Sequence, residues 1–195
     1  MSGTSMASPN VTGSLALLQE HYSKLNTGVF MKASTLKALA IHTANEAGDA
    51  PGPDYKHGWG LLNAFKAAQT ISVKDKYSLI QERTLNNQAK DIINLTASGK
   101  EPLVATIVWN DPIPTTLSND TVLDDPTSML VNDLDSKIIK DTETFLPWVL
   151  DPANPTNPAT KGNNTRDNVE QIVIENPVAG ATYQLEVSHK GTLAS

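Results

Sequence analysis

Near its start the chain reads Gly3-Thr4-Ser5-Met6-Ala7-Ser8-Pro9, a small hydroxylated cluster that runs directly into an apolar helical pattern. Ala7, Val11, Leu15 and Leu18 recur at three- and four-residue spacing, as on one helix face. Ser5 therefore falls at or just before a helix N-terminus, with Pro9 expected near the start, where a missing N–H is tolerated. A serine there has two chemistries open to it. It can cap an orphan amide. It can also act as a nucleophile whose own N–H helps hold an oxyanion, because helix N-termini favour developing negative charge.

A second concentration of chemistry-bearing residues is acidic. Asp111, Asp120, Asp124, Asp125, Asp133 and Asp135 fall within 25 residues. Asn132, Asp133 and Asp135 could supply oxygen ligands to calcium, with Asp167 and Asn168 arriving from a later loop. The same residues are compatible with a solvated acidic loop built on Asx-turns. The pattern is not an EF-hand.

The elements that must position these residues divide into two textures. After the Ser5 helix, "ASTLKALAIHTANEAG" predicts a second helix, with Ser34 as N-cap and Gly48 as stop, and Asn63 can cap a short third helix through Ala68. From about Tyr77 the chain breaks into strand-like runs: "YSLIQERTL", "KDIINLTAS", "PLVATIVWND", "MLVNDLDSKII", "TFLPWVL", "NVEQIVIENP" and "TYQLEVSHK". Gly, Pro, Asn and Asp clusters separate them, which points to an antiparallel sandwich or jelly roll. The expected class is α+β, with a helical segment over 1–74 and a β domain over 75–195.

Charge follows the same division. Residues 1–75 carry a net charge of +1 and residues 76–195 a net charge of −7. An acidic balance without a basic cluster argues against nucleic-acid binding. No stretch reaches the roughly 18 apolar residues of a membrane span. With no cysteine, disulfides and thiolate metal sites are excluded.

The seven residues Gly3 to Pro9 closely resemble the nucleophile segment of the subtilisin-like serine proteases. "LKALAIHTA" and "HGWGLLNAFKA" are similar to the helix that follows it and to the Gly-x-Gly turn and closing helix of the same catalytic domain. Trp109-Asn110-Asp111, the run Leu130 to Asp135 and Asp167-Asn168-Val169-Glu170 resemble the β-sandwich that follows that domain in a secreted subset. Asn10 stands where the family commonly has a packing histidine.

The resemblance selects the nucleophile reading for Ser5 and implies a secreted or cell-surface serine endopeptidase acting on protein or peptide substrates. It implies an α/β catalytic domain of which the helices are a remnant, completed by an N-terminal part of that domain, and no organic cofactor. It also favours a structural calcium ion over the solvated loop. The family orders its triad Asp, His, Ser along the chain, so the triad Asp and His are expected upstream of Ser5. His21, His42, His57 and His189 are expected to be packing or surface residues, and the chain as given is expected to be inactive and able to self-associate. The alternative function is a non-catalytic β-sandwich module that binds or stabilises.

Overall fold

The computed structural model describes residues 3–115, 123 and 125–194. Asp120 and Asp124 of the acidic stretch lie outside them. The chain forms two compact units. One holds the residues up to Ala47 together with Trp59–Arg83, and the other holds Gly48–Gly58 and Thr84–Ser195.

Three helices build the first unit: α1 (Thr4–Leu25), α2 (Ala33–Thr43) and α3 (Ala64–Ser72). Leu15, Leu18 and Tyr22 lie along one face of α1 and pack with Leu36 and Leu39 of α2 and Ala67, Ala68 and Ile71 of α3. Met31 joins this core, held by a reciprocal pair of hydrogen bonds. The Gln19 amide donates to the Met31 carbonyl at 2.8 Å and accepts from its N–H at 2.9 Å. The apolar face predicted for α1 is only half used. Leu18 is buried, whereas Ala7 is exposed and Val11 is 38% exposed, because α2 and α3 pack along the C-terminal part of α1.

Three local expectations are corrected in this unit. Ser34 lies inside α2, whose N-cap is Lys32. The carboxylate of Glu82, fifty residues on, takes the Lys32 N–H at 2.7 Å and the Thr35 hydroxyl at 2.7 Å. The helix also ends at Thr43, well before Gly48. Asn45 and Leu61 exchange both backbone hydrogen bonds at 2.8 Å, and that pairing requires extended backbone. Gly60 permits it: at φ 101°, a Cβ there would lie 2.1 Å from the Asn45 carbonyl oxygen. Finally, "YSLIQERTL" forms no strand. Ile80 packs on the helical core and Glu82 serves α2, so the segment as far as Arg83 belongs to the helical unit. The cap expected at Asn63 is present, its side chain accepting from Lys66 N–H at 2.8 Å, and α3 continues to Ser72.

The second unit is antiparallel throughout. Its strands are β1 (Asp91–Thr96), β2 (Leu103–Val108), β3 (Leu134–Lys140), β4 (Glu143–Phe145), β5 (Trp148–Val149), β6 (Thr160–Lys161), β7 (Val169–Ile174) and β8 (Thr182–His189). They form a four-stranded sheet in the order β1-β8-β3-β4 and two ladders, β2-β7 and β5-β6. Ala105 of β2 and Ile172 and Ile174 of β7 share one apolar cluster with Ile138 of β3 and Tyr183 and Leu185 of β8. The core of this unit thus joins the four-stranded sheet to the β2-β7 ladder. The whole is α+β, helical first and β-rich after.

Candidate active site

Ser5 is the second residue of α1, two positions beyond the cap. Gly3 takes the cap position and offers no side chain, while its carbonyl accepts from Met6 N–H at 3.0 Å and Ala7 N–H at 3.2 Å. Among the described residues, nothing accepts from the Ser5 N–H and nothing hydrogen-bonds its hydroxyl. An exposed hydroxyl therefore stands beside backbone donors at the positive end of a 22-residue helix, an arrangement suited to stabilising negative charge. Pro9 is the sixth helical residue rather than one of the first turn. Its missing N–H would have bonded to the Ser5 carbonyl, so the nucleophile candidate is freed of one helical bond as well.

The four histidines are engaged elsewhere. His21, on the same helix, is roughly 24 Å along the axis by the standard rise, and its Nε2 meets Ser72 Oγ at 2.9 Å. His42 lies half-buried on α2, where burial first and the Lys66 ammonium second push its pKa down to about 4. His57 Nδ1 is 3.5 Å from Asp54 Oδ2. The Asp54 carboxyl is held below its usual range chiefly by the His57 backbone N–H. His189 Nε2 accepts from Gln88 N–H at 2.7 Å.

The acidic candidates are brought together, but around an internal cation. The Lys190 ammonium lies 3.2 Å from Asp133 Oδ2, 2.9 Å from Asp135 Oδ1 and 2.8 Å from Asn163 Oδ1. Asn132 is not among them. Its amide is paired with the backbone of Ala194, donating at 3.2 Å and accepting at 2.8 Å. Asp111 is a backbone clamp, accepting from Val131 and Asn132 N–H at 2.5 and 2.8 Å. Asp167 accepts from Asn164, and the Asn168 amide donates to the Trp109 carbonyl. As placed, Asp133 and Asp135 share the Lys190 ammonium, and the Asn132 amide is paired with Ala194. Among the described residues, no group of three or more His, Cys, Asp or Glu side chains is arranged to hold a metal ion.

Sequence reasoning gave no role to Lys190, and none to Glu170 beyond its place in a motif that carries the resemblance. A signal for Glu170 existed. It stands two residues before Ile172 and four before Ile174, so strand alternation puts a carboxylate on the core face, and it is 1% exposed.

The comparisons bear on the helical segment. Residues 1–60 match the model of the subtilase family. The chain is similar to the Neisserial autotransporter lipoprotein NalP of Neisseria meningitidis serogroup B, 42% identical over 67 residues. It is also similar to Serotype-specific antigen 1 of Mannheimia haemolytica, 35% identical over 65 residues. These stretches cover 34% and 33% of this chain, and in each case 6% of the relative. The chain thus spans a small part of the curated relatives it matches. The matched stretch contains Ser5, α1 and α2 and ends at Gly60.

Proposed function

We propose that Ser5 is the nucleophile of a subtilisin-like serine endopeptidase and that this chain is part of such an enzyme. The observation that carries the reading is the subtilase match over residues 1–60, with Ser5 exposed at the second position of an otherwise uncapped helix. In the catalytic step, Ser5 Oγ attacks the scissile carbonyl. A histidine from elsewhere in the enzyme takes its proton, an aspartate orients that histidine, and the Ser5 N–H donates to the oxyanion. The residues of this chain supply the nucleophile and one oxyanion donor. In this reading the base comes from elsewhere in the enzyme, and the chain alone is inactive.

Exposed apolar side chains of the helical unit, such as Phe65 at 72% and Leu17 at 68%, support a surface completed by another part of a catalytic domain or by self-association. The names of the relatives, an autotransporter lipoprotein and a serotype-specific antigen, support a secreted or cell-surface location. No helix among the described residues is long and apolar enough to cross a membrane. The separate apolar core of the β unit supports the second role, a binding or stabilising module carried beside the catalytic one.

The test is turnover of a fluorogenic peptide by the full-length enzyme and its Ser5→Ala variant. The variant should lose about 10⁶-fold in kcat, the loss known for removing the nucleophile from subtilisin itself. Retained turnover refutes the assignment. For the chain alone, a fluorophosphonate should label Ser5 no faster than it labels free serine. Labelling at the rate of an intact serine protease would reveal a base within this chain.

A further inference from the structure

Residues 48–58 lie inside the stretch that matches the subtilase family, yet they form part of the β unit. The chain therefore passes between the two units three times, at Ala47–Gly48, Gly58–Trp59 and Arg83–Thr84. The excursion begins Gly48-Asp49-Ala50-Pro51-Gly52-Pro53. Pro51 and Pro53 fix φ on either side of Gly52, and Pro53 is buried. A tight turn closes the far end. There the Asp54 N–H donates to the Gly58 carbonyl at 3.0 Å and the Gly58 N–H donates to the Asp54 carbonyl at 2.9 Å. Tyr55, in that turn, lies within electrostatic reach of Asp167, Arg166 and Asp151 of the β unit.

Gly52 carries the attachment. Its φ is 94°, and a Cβ there would lie 2.7 Å from Cδ2 and 2.9 Å from both Cε2 and Cε3 of Trp148. Three adjoining ring atoms at nearly one distance place the glycine over the face of the indole. The Lys161 ammonium stands 3.2 Å from the centroid of the same ring, because Trp148 and Lys161 are opposite residues of the β5-β6 ladder. On the face that Gly52 covers, the ammonium would be closer to that Cβ position than the ring is, but the three nearest atoms all belong to the ring. The indole is therefore held between backbone on one face and a cation on the other, the second a favourable cation–π geometry. Such a seat admits glycine alone: any Cβ strikes the ring, and the positive φ disfavours other residues.

We propose that the β unit is a receptor for a loop of its own chain: residues 48–58 are a strap, fastened by the seating of Gly52 on Trp148. The strap is tied at both ends, so its effective concentration at the indole is high. The two prolines reduce the conformational freedom it loses on seating. Lys161 braces the ring from behind. While the strap is seated, that face of Trp148 is closed to any outside ligand, and the binding partner of the β unit at this place is internal. The proposal goes beyond the protease reading and stands without it, since no part of it involves the Ser5 hydroxyl.

The experiment is timed trypsin digestion of the full chain, following the cut after Lys56 by mass spectrometry, with amide exchange at Ile172 reporting on the β core. Lys56 is exposed, but the strap must lift and open before a protease can cut it, so the rate reads the population of released strap. Gly52→Ala and Trp148→Ala should each raise that rate by at least about tenfold and leave Ile172 protection unchanged. In the Trp148→Ala background the effect of Gly52→Ala should shrink severalfold, because the ring its Cβ strikes is gone. Wild-type rates in both single variants overturn the proposal. So does a Gly52→Ala effect of equal size in both backgrounds, which would assign it to backbone strain at residue 52. If Trp148→Ala strips protection from Ile172, Lys161→Met decides, since it keeps the stem and removes the cation. It should speed the cut by about threefold with Ile172 protection intact, and an unchanged rate there overturns the strap.

Discussion

His42 is a single residue whose environment sets a pH limit. Burial on α2, with the Lys66 ammonium adding to it, holds the imidazole pKa near 4, against 6.5 for the free side chain. Both states of the protein are neutral at this position above about pH 6.5, and the stability it permits is complete there. As pH falls toward 4, the unfolded chain binds a proton that the folded chain refuses. The helical unit should lose up to about 3 kcal/mol over that window. Urea unfolding at pH 7, 5.5 and 4, followed by Trp59 fluorescence, measures it. His42→Gln should flatten the dependence, and an unchanged slope in that variant would remove His42 as its source.

At the scale of the element, the three helices begin in three different ways. α3 begins with a local cap, Asn63 accepting from Lys66 N–H three residues on. Asn63→Ala should cost about 1 kcal/mol. α2 borrows its N-terminal acceptor from Glu82, and Glu82→Ala removes the partner of both the Lys32 N–H and the Thr35 hydroxyl. That loss should exceed the Asn63 effect, at roughly 1–3 kcal/mol. Thermal melts of the two variants rank them, and equal midpoints would show that the α2 terminus is served by water alone. α1 begins uncapped at Gly3, which sacrifices helix stability and leaves the amides beside Ser5 available.

At the scale of the whole molecule, each unit carries its own apolar core. The helical unit weakens toward acid through His42. Amide hydrogen exchange on the full chain should show protection of Leu18, Leu39 and Ile71 falling from pH 6.5 to 4.5, after correction for the intrinsic exchange rate. Protection of Ile138, Ile172 and Leu185, which lie in the other core, should not follow His42 over that window. A common response of both cores to pH would show that one global transition governs the chain and that local titration does not.

What the sequence determined by itself is what near neighbours along the chain determine. Ser5 at the head of a helix, the i, i+3, i+4 faces of α1 and α2, the Asn63 cap and most of the strands were legible, because each depends on residues within about one helical turn or one strand. The subtilase resemblance was legible for the same reason, being carried by seven consecutive residues. The tertiary structure decided the rest. Glu82 caps α2 across 47 to 50 residues, Glu170 reaches Ser136 across 34, and Lys190 comes between Asp133 and Asp135 across 55 to 57. Nothing local announces such pairs. Read along the chain, an aspartate-rich stretch of net negative charge suggests an external cation. In the folded protein, the antiparallel pairing of β3 with β8 sets Leu134 opposite His189, and the next residue along, Lys190, brings its ammonium to Asp133 and Asp135.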